Sequence, residues 1–292
     1  MLLESLRAAR RRRTRTFAAL SAGFVLAAAA VACGIDAVAT KEFPGLEAGL
    51  DAPAEVSLPP KPDGGVEDGG GPDASPDGPL ACPTGHGPMV IVDAGGLLFC
   101  IDATEVRNDE YAKFVTITDG GKIDSGFDAG VPSSCAFNTT YARVGAKASD
   151  PADHPAAGMD WCDAYAYCHW AGKRLCGKQV ANDASTGEWY AACTKGGVQP
   201  VPYGAAYDAS ACNDNTGSPS AVGSRSSCQG SATGIFDMNG NLSELVDNCT
   251  ATGCTTMGGY FGWPGSVCAT DFEYPRPQTD PTIGFRCCAD PR

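Results

Sequence analysis

Cysteine is the residue type in this 292-residue chain with the most chemistry to offer: there are fifteen. A thiolate can act as a nucleophile or hold a soft metal, and two thiols can instead be oxidised into a staple. Fourteen of them lie between Cys82 and Cys288, an even number that seven bridges would consume. Proximity alone suggests Cys82–Cys100, Cys212–Cys228 and Cys249–Cys254. Histidine is scarce. His86 sits in a Gly-His-Gly-Pro loop and is expected at the surface. His154 precedes Pro155 in a turn, and His169 reads as a packed ring beside Trp170. These three are too widely spaced to form a metal-ligand run on one helix. The third chemical feature is Asp237-Met238-Asn239-Gly240-Asn241 with Glu244. Calcium takes six to eight oxygens from carboxylates and carbonyls. A segment with a carboxylate at each end and a glycine to permit a tight path could supply several of them.

The elements that must position these groups can be read from the pattern. The stretch Ala164–Leu175 holds a helix expected to start near Asp163, with Ala164, Tyr167, Cys168 and Ala171 at helical spacing on one face. Gly172 can stop it, and Lys173 and Arg174 follow at its negative pole. Upstream, Met89–Val92 and Leu97–Ile101 flank Asp93-Ala94-Gly95-Gly96, the pattern of a hairpin. Asn108 is expected to cap a helix through Tyr111, Phe114 and Val115. Ser185 with Glu188 three residues on forms a capping-box pattern for a helix carrying Trp189 and Cys193. Beyond Ala192, Gly, Ser, Asn, Asp and Pro dominate, and that half is expected to be irregular, with short strands stapled by cysteines.

The N-terminal region does not read as part of a domain. Six arginines between Arg7 and Arg15 precede an apolar run from Phe17 to Ala32, the pattern of a secretory signal. The run ends in Ala30-Val31-Ala32-Cys33-Gly34, which resembles a bacterial lipobox with Cys33 as the lipidated residue; plain cleavage after Ala32 is the alternative. Residues 1–33 are thus a signal with lipobox. Residues 34–80 are an acidic, Pro- and Gly-rich linker unable to bury a core. Residues 81–292 form one domain. The net charge of −13 combines +5 on residues 1–32 with −18 on the remainder. So acidic a mature chain argues against nucleic acid as a partner. The expected location is the bacterial cell envelope, extracytoplasmic and held to the membrane by the lipid, or secreted in the alternative.

Several signatures follow one another in a fixed order. They are Thr104-Glu105-Val106 leading through Asn108 to Tyr111 and Phe114; His154-Pro155; Trp161 with Asp163-Ala164; the Tyr167-to-Leu175 run; Glu188-Trp189 with Cys193; Asp237-Met238-Asn239-Gly240-Asn241 with Glu244; Gly258-Gly259; and Gly284-Phe285-Arg286-Cys287. Together they resemble the formylglycine-generating enzyme family, the sulfatase-modifying factors, over about residues 82–292. The resemblance implies an α+β fold, a variant of the C-type lectin fold with low regular secondary structure, here disulfide-rich. It implies bridges from Cys168 to Cys287 and from Cys193 to Cys268, and leaves Cys135, Cys162, Cys176 and Cys288 unassigned. It also implies a calcium site with a side chain from Asp237, carbonyls from Gly240 and Leu242, and the carboxylate of Glu244.

Active members of that family oxidise a sulfatase cysteine to formylglycine with oxygen and a copper(I) ion held by two thiolates. The corresponding run here is Gly258–Cys268, and the two thiol positions fall on Trp263 and Cys268. Tryptophan cannot ligate copper, and Cys268 is also the expected partner of Cys193. This argues against copper and against a catalytic set. The reading is therefore a lipid-anchored domain that binds an unidentified protein, peptide or glycan. The alternative is an active formylglycine-generating oxidase or a related non-haem iron oxidoreductase, and a purely structural surface or spore-coat role is a third.

Overall fold

The computed structural model describes residues 79–118, 120–122, 130–177, 183–230 and 232–292. The signal segment, Cys33 and residues 34–78 of the linker lie outside the described residues. The chain first forms a hairpin, β1 (Met89–Ala94) and β2 (Leu97–Asp102), with Ala94 opposite Leu97. Its two-residue turn is Gly95-Gly96, with φ of 65° and 80°. Tight hairpin turns of this kind need positive φ at both positions, which glycine adopts without steric cost.

Three α-helices follow in chain order among the described residues. Helix α1 spans Asn108–Ile117. Asn108 is its first turn and not its cap, which is Arg107 in extended conformation. The Asn108 amide donates instead to the Pro151 carbonyl at 2.9 Å, tying the helix to a distant loop. Helix α2 spans Trp161–Trp170 and starts two residues earlier than its pattern suggested. Asp160 caps it by accepting from the Asp163 N–H, and Asp163 accepts reciprocally from the Asp160 N–H, a capping box built from two aspartates. This helix is buried on most sides, Trp161 through Ala164 and Ala166 through Cys168 included, so a single apolar stripe underestimates it. Helix α3 spans Glu188–Thr194 with Gly187 at its start and no side-chain cap. Ser185 is drawn into a local turn, donating from its N–H and hydroxyl to Asp183. Glu188, freed from capping, accepts from Arg174 and from the Gly177 N–H.

Two four-stranded sheets complete the domain. In the first, the order is β1, β2, β8 (Cys287–Ala289) and β3 (Arg174–Leu175). In the second it is β6 (Asp271–Tyr274), β5 (Cys254–Met257), β4 (Ser243–Cys249) and β7 (Ile283–Phe285), with β4 and β7 parallel. One chain run, β7–Arg286–β8, passes directly from one sheet to the other.

The cores lie on the two faces of that run. Successive strand residues point to opposite sides. Cys287 belongs to the cluster of Tyr111, Phe114, Tyr167 and Phe285, and Cys288 to the cluster of Phe99, Ile101, Trp189 and Met257. Each is bridged on its own side, Cys287 to Cys168 on α2 and Cys288 to Cys176 just after β3. These bridges close separations of 119 and 112 residues. Each removes roughly 4–5 kcal/mol of unfolded-chain freedom on the chain-entropy account. The other pairs are Cys82–Cys100, Cys135–Cys162, Cys193–Cys268, Cys212–Cys228 and Cys249–Cys254. Seven bridges fit an oxidising, extracytoplasmic compartment.

Candidate functional site

Arg286, at the joint between the sheets, is fully buried and organises the polar interior. Its Nε and Nη2 donate to the two oxygens of Glu244 at 2.6 Å each, a bidentate pair. Nη2 also reaches the Phe236 carbonyl, and Nη1 the Asp102 carbonyl. The Trp189 indole N–H donates to Glu244 Oε2 at 2.8 Å. Two further carboxylates lie in this interior. Glu105 accepts from the Leu242 N–H and from the Asn241 amide, both at 3.1 Å, and Asp237 Oδ2 accepts from the Gly223 N–H at 2.5 Å. Glu105, Asp237 and Glu244 are 1%, 2% and 0% exposed. Among the described residues one buried guanidinium, that of Arg286, faces the three. Burial, reinforced by Asp237 and Glu244, pushes Glu105 well above the usual carboxylate range. Burial likewise pushes Asp237 up to about 6.

The segment from Asp237 to Glu244 is tightly wound: Asp237, Gly240 and Asn241 all have positive φ. A side chain on Gly240 would meet the Asn213 carbonyl oxygen at 2.5 Å, so no larger residue fits the path. The four residues expected to hold calcium thus run from this loop into the start of β4. Glu244 is already held by Arg286 and Trp189, and Asp237 has one oxygen on a backbone N–H. Among the described residues no three His, Cys, Asp or Glu side chains converge as a metal site would need. A cation here would depend on the carbonyls of Gly240 and Leu242. All four of those donors are oxygen, the ligand type that calcium takes, with both Glu244 oxygens already accepting from Arg286.

The segment after Gly259 is different in kind. Cys268 is bonded to Cys193 and fully buried. All fourteen cysteines among the described residues are in bridges, so none of them offers a thiolate. Trp263 does not fill buried space, being 45% exposed. It belongs to a row of rings, with Tyr260 at 6.3 Å and Phe272 at 5.1 Å between centroids, and Tyr274 6.5 Å beyond Phe272. The loop carrying it is braced from below. Asp214, buried, accepts from the Tyr207 hydroxyl and the Gly265 N–H, and the Asn239 amide donates to the Ser266 carbonyl at 2.5 Å.

The histidines are not gathered. His86 is half-buried against Trp170, with ring centroids 4.0 Å apart, and burial lowers its proton affinity. His154 pairs with Asp153, and His169 is exposed where a packed ring was expected. Lys173 and Arg174 do not serve the helix pole. Lys173 is buried, bonded to Asp102 at 2.5 Å and to the His86 carbonyl, and Arg174 binds Glu188 and Asp290. Pattern reading missed the partnership of Glu105, Glu244 and Arg286. Their presence in the quoted motifs was the available signal, but nothing in sequence separation places them together.

A disulfide-stapled α+β domain with short strands, three short helices and a buried arginine joint defines the class. The profile of the sulfatase-modifying factor enzyme 1-like domain matches residues 87–291, and the chain belongs to that family. Its fold is the family's variant of the C-type lectin fold. Among curated proteins no sequence match was found. Among solved structures, PvdO from Pseudomonas aeruginosa is 20% identical, with 67% of this chain and 81% of that chain covered and a TM-score of 0.49. CarF is 20% identical over 66% of this chain and 86% of its own, TM-score 0.41. Treponema denticola variable protein 1 is 12% identical over 66% and 85%, TM-score 0.44.

Proposed function

We propose that this chain is a lipid-anchored, extracytoplasmic member of the family that binds a peptide or glycan and does not generate formylglycine. The observation that carries the reading is the fate of the two thiol positions: Cys268 is consumed by Cys193, and Trp263 stands exposed in a row of otherwise half-buried rings. Copper(I) needs soft ligands, and a disulfide sulfur with an indole supplies no thiolate pair. Exposed, braced aromatic rings are instead the kind of surface that binds ligands, because they offer large contact area at low entropic cost. Cys33 would carry the lipid, and the acidic linker would hold the domain away from the membrane. Calcium at Asp237, Gly240, Leu242 and Glu244 is part of the same proposal, supported by the excess of buried negative charge.

The test has two arms. Unfolding the unreduced mature protein and counting thiols should give none, and copper(I) with a sulfatase-type peptide should give no oxygen uptake and no aldehyde. Stoichiometric tight copper with aldehyde formation would sink the reading. In the second arm, peptide and glycan arrays should show retention that Trp263→Ala removes.

A further inference from the structure

Strand β1 is an edge of the first sheet, with β2 as its one neighbour among the described strands. The hairpin geometry fixes which of its backbone groups point outward. Ala94 and Leu97 flank the two-residue turn and form the first hydrogen-bonded pair, so such pairs recur at Val92–Phe99 and Val90–Ile101. The Ala103 N–H on the Pro88 carbonyl continues the alternation. Met89, Ile91 and Asp93 therefore aim both their N–H and C=O groups away from β2. No hydrogen bond reaches any of these groups among the described residues. An open edge of this kind is a template for another strand.

The same three residues turn their side chains to the face opposite the Val92 core. Ile91 is 38% exposed there. A groove of about 490 Å³ lies beside Met89 and Ile91, walled by residues 82–88. That size is within the roughly 300–1,000 Å³ usual for ligand pockets. Its wall is held at two points: Cys82 is bonded to Cys100 on β2, and the buried Lys173 donates to the His86 carbonyl. Asp93, at the far end of the edge, is exposed and in no ion pair among the described residues.

We propose that β1 and this groove bind an extended basic peptide segment of a partner protein as an added antiparallel strand, at a site apart from the aromatic row. Backbone pairing supplies the affinity in this mode, and alternate side chains supply the selection. Charge selects the partner: the chain beyond residue 32 carries −18, and Asp93 stands unpaired at the edge. A second copy fits less well. Two domains of the same strong charge would meet along a six-residue strand, about 20 Å long, a contact well short of the roughly 800 Å² a side that a stable dimer buries. An antiparallel partner passes Asp93 first, then Ile91 and Met89 two and four residues later. The preferred order is therefore a basic residue, then apolar residues two and four positions on.

The experiment follows fluorescence anisotropy of the labelled, acetylated peptide Lys-Thr-Val-Thr-Val-Thr as the mature protein is titrated in, and binding should saturate. N-methylation of either valine, whose N–H would face β1, should weaken binding by about tenfold or more. N-methylation of the threonine between them, whose N–H points away, should change it less than about twofold. Glutamate in place of lysine should weaken binding about threefold at low salt, and Asp93→Lys should reverse that preference. Ile91→Pro removes an outward N–H at an edge position that tolerates proline, and should abolish binding. No saturable binding, or equal effects of N-methylation at valine and at threonine, overturns the proposal. So does a charge preference unchanged by Asp93→Lys, or binding that survives Ile91→Pro. Dimerisation of the protein that Ile91→Pro abolishes overturns it too, because the edge would then belong to a second copy. Failure here leaves the thiol count and the Trp263 arrays unaffected, so the two proposals fail separately.

Discussion

Asp237 offers the sharpest test of the calcium proposal, because proton and cation would compete for it. In the folded domain burial pushes its carboxyl up to about 6, against about 4 in an unfolded chain. A raised carboxyl means that the folded state holds the proton more firmly than the unfolded one. Without calcium, the contribution of this group to stability is therefore fully present below about pH 4 and is lost as pH rises through 6. The full cost above pH 6 is about 3 kcal/mol, or roughly 6–12 °C in melting temperature for a domain of this size. Calcium would reverse the trend, since its binding favours the ionised carboxylate and releases the proton. The assay is denaturant unfolding of the mature protein from pH 4 to 8, with chelator and with calcium. The two curves should meet near pH 4 and separate progressively up to pH 6, and Asp237→Asn should abolish the separation. Superimposed curves at pH 7, or an Asp237→Asn protein that still responds to calcium, would refute the reasoning.

Other perturbations test other parts. Replacing Glu244 with Gln or Arg286 with Met breaks a fully buried pair and should cost about 3–5 kcal/mol by denaturant unfolding, because the survivor is left unpaired. Asp163 is pushed up to about 8 by burial and by Asp160. Asp163→Asn should flatten the fall in stability that the wild type shows as pH rises from about 4 to 8, read from the same pH series. Trp263→Ala, at an exposed position, should change stability by no more than about 0.5 kcal/mol while removing ligand retention, and a large loss of stability would mean the ring is packing instead.

Much of the scaffold was legible because it is local. The hairpin follows from Gly95-Gly96, and the end of α2 from Gly172, whose φ is 69°. Capping was less so. Asn108 and Ser185 carry side chains that cap well, but Asn108 falls inside the helix, with its amide on the Pro151 carbonyl and its Oδ1 buried without a partner among the described residues, and Ser185 is drawn to Asp183. A shift of one or two residues in where a helix begins decides such cases, and the sequence does not fix it. The polar interior was least legible. Glu244 stands in a motif suited to calcium, and only the fold brings Arg286, 42 residues later, onto both of its oxygens. Lys173 was misread for a similar reason: its partner Asp102 is 71 residues away.

The adjacent cysteines of β8 also bear on how the protein can be made. Strand β8 lies between β2 and β3 in the first sheet, yet it follows both, and every other described strand, along the chain. A polypeptide exported N-terminus first would deliver the hairpin, α2 and β3 long before the strand that joins them. Cys168 and Cys176 would wait as free thiols, exposed to wrong partners, until Cys287 and Cys288 arrive together. Two neighbouring thiols facing two waiting ones allow a crossed pairing as well as the native one, and the pleat that sends them to opposite faces is what separates the outcomes. On the proposed export, completion of this domain would be a late, two-handed closure, and its yield would depend on thiol–disulfide exchange rather than on the order of synthesis.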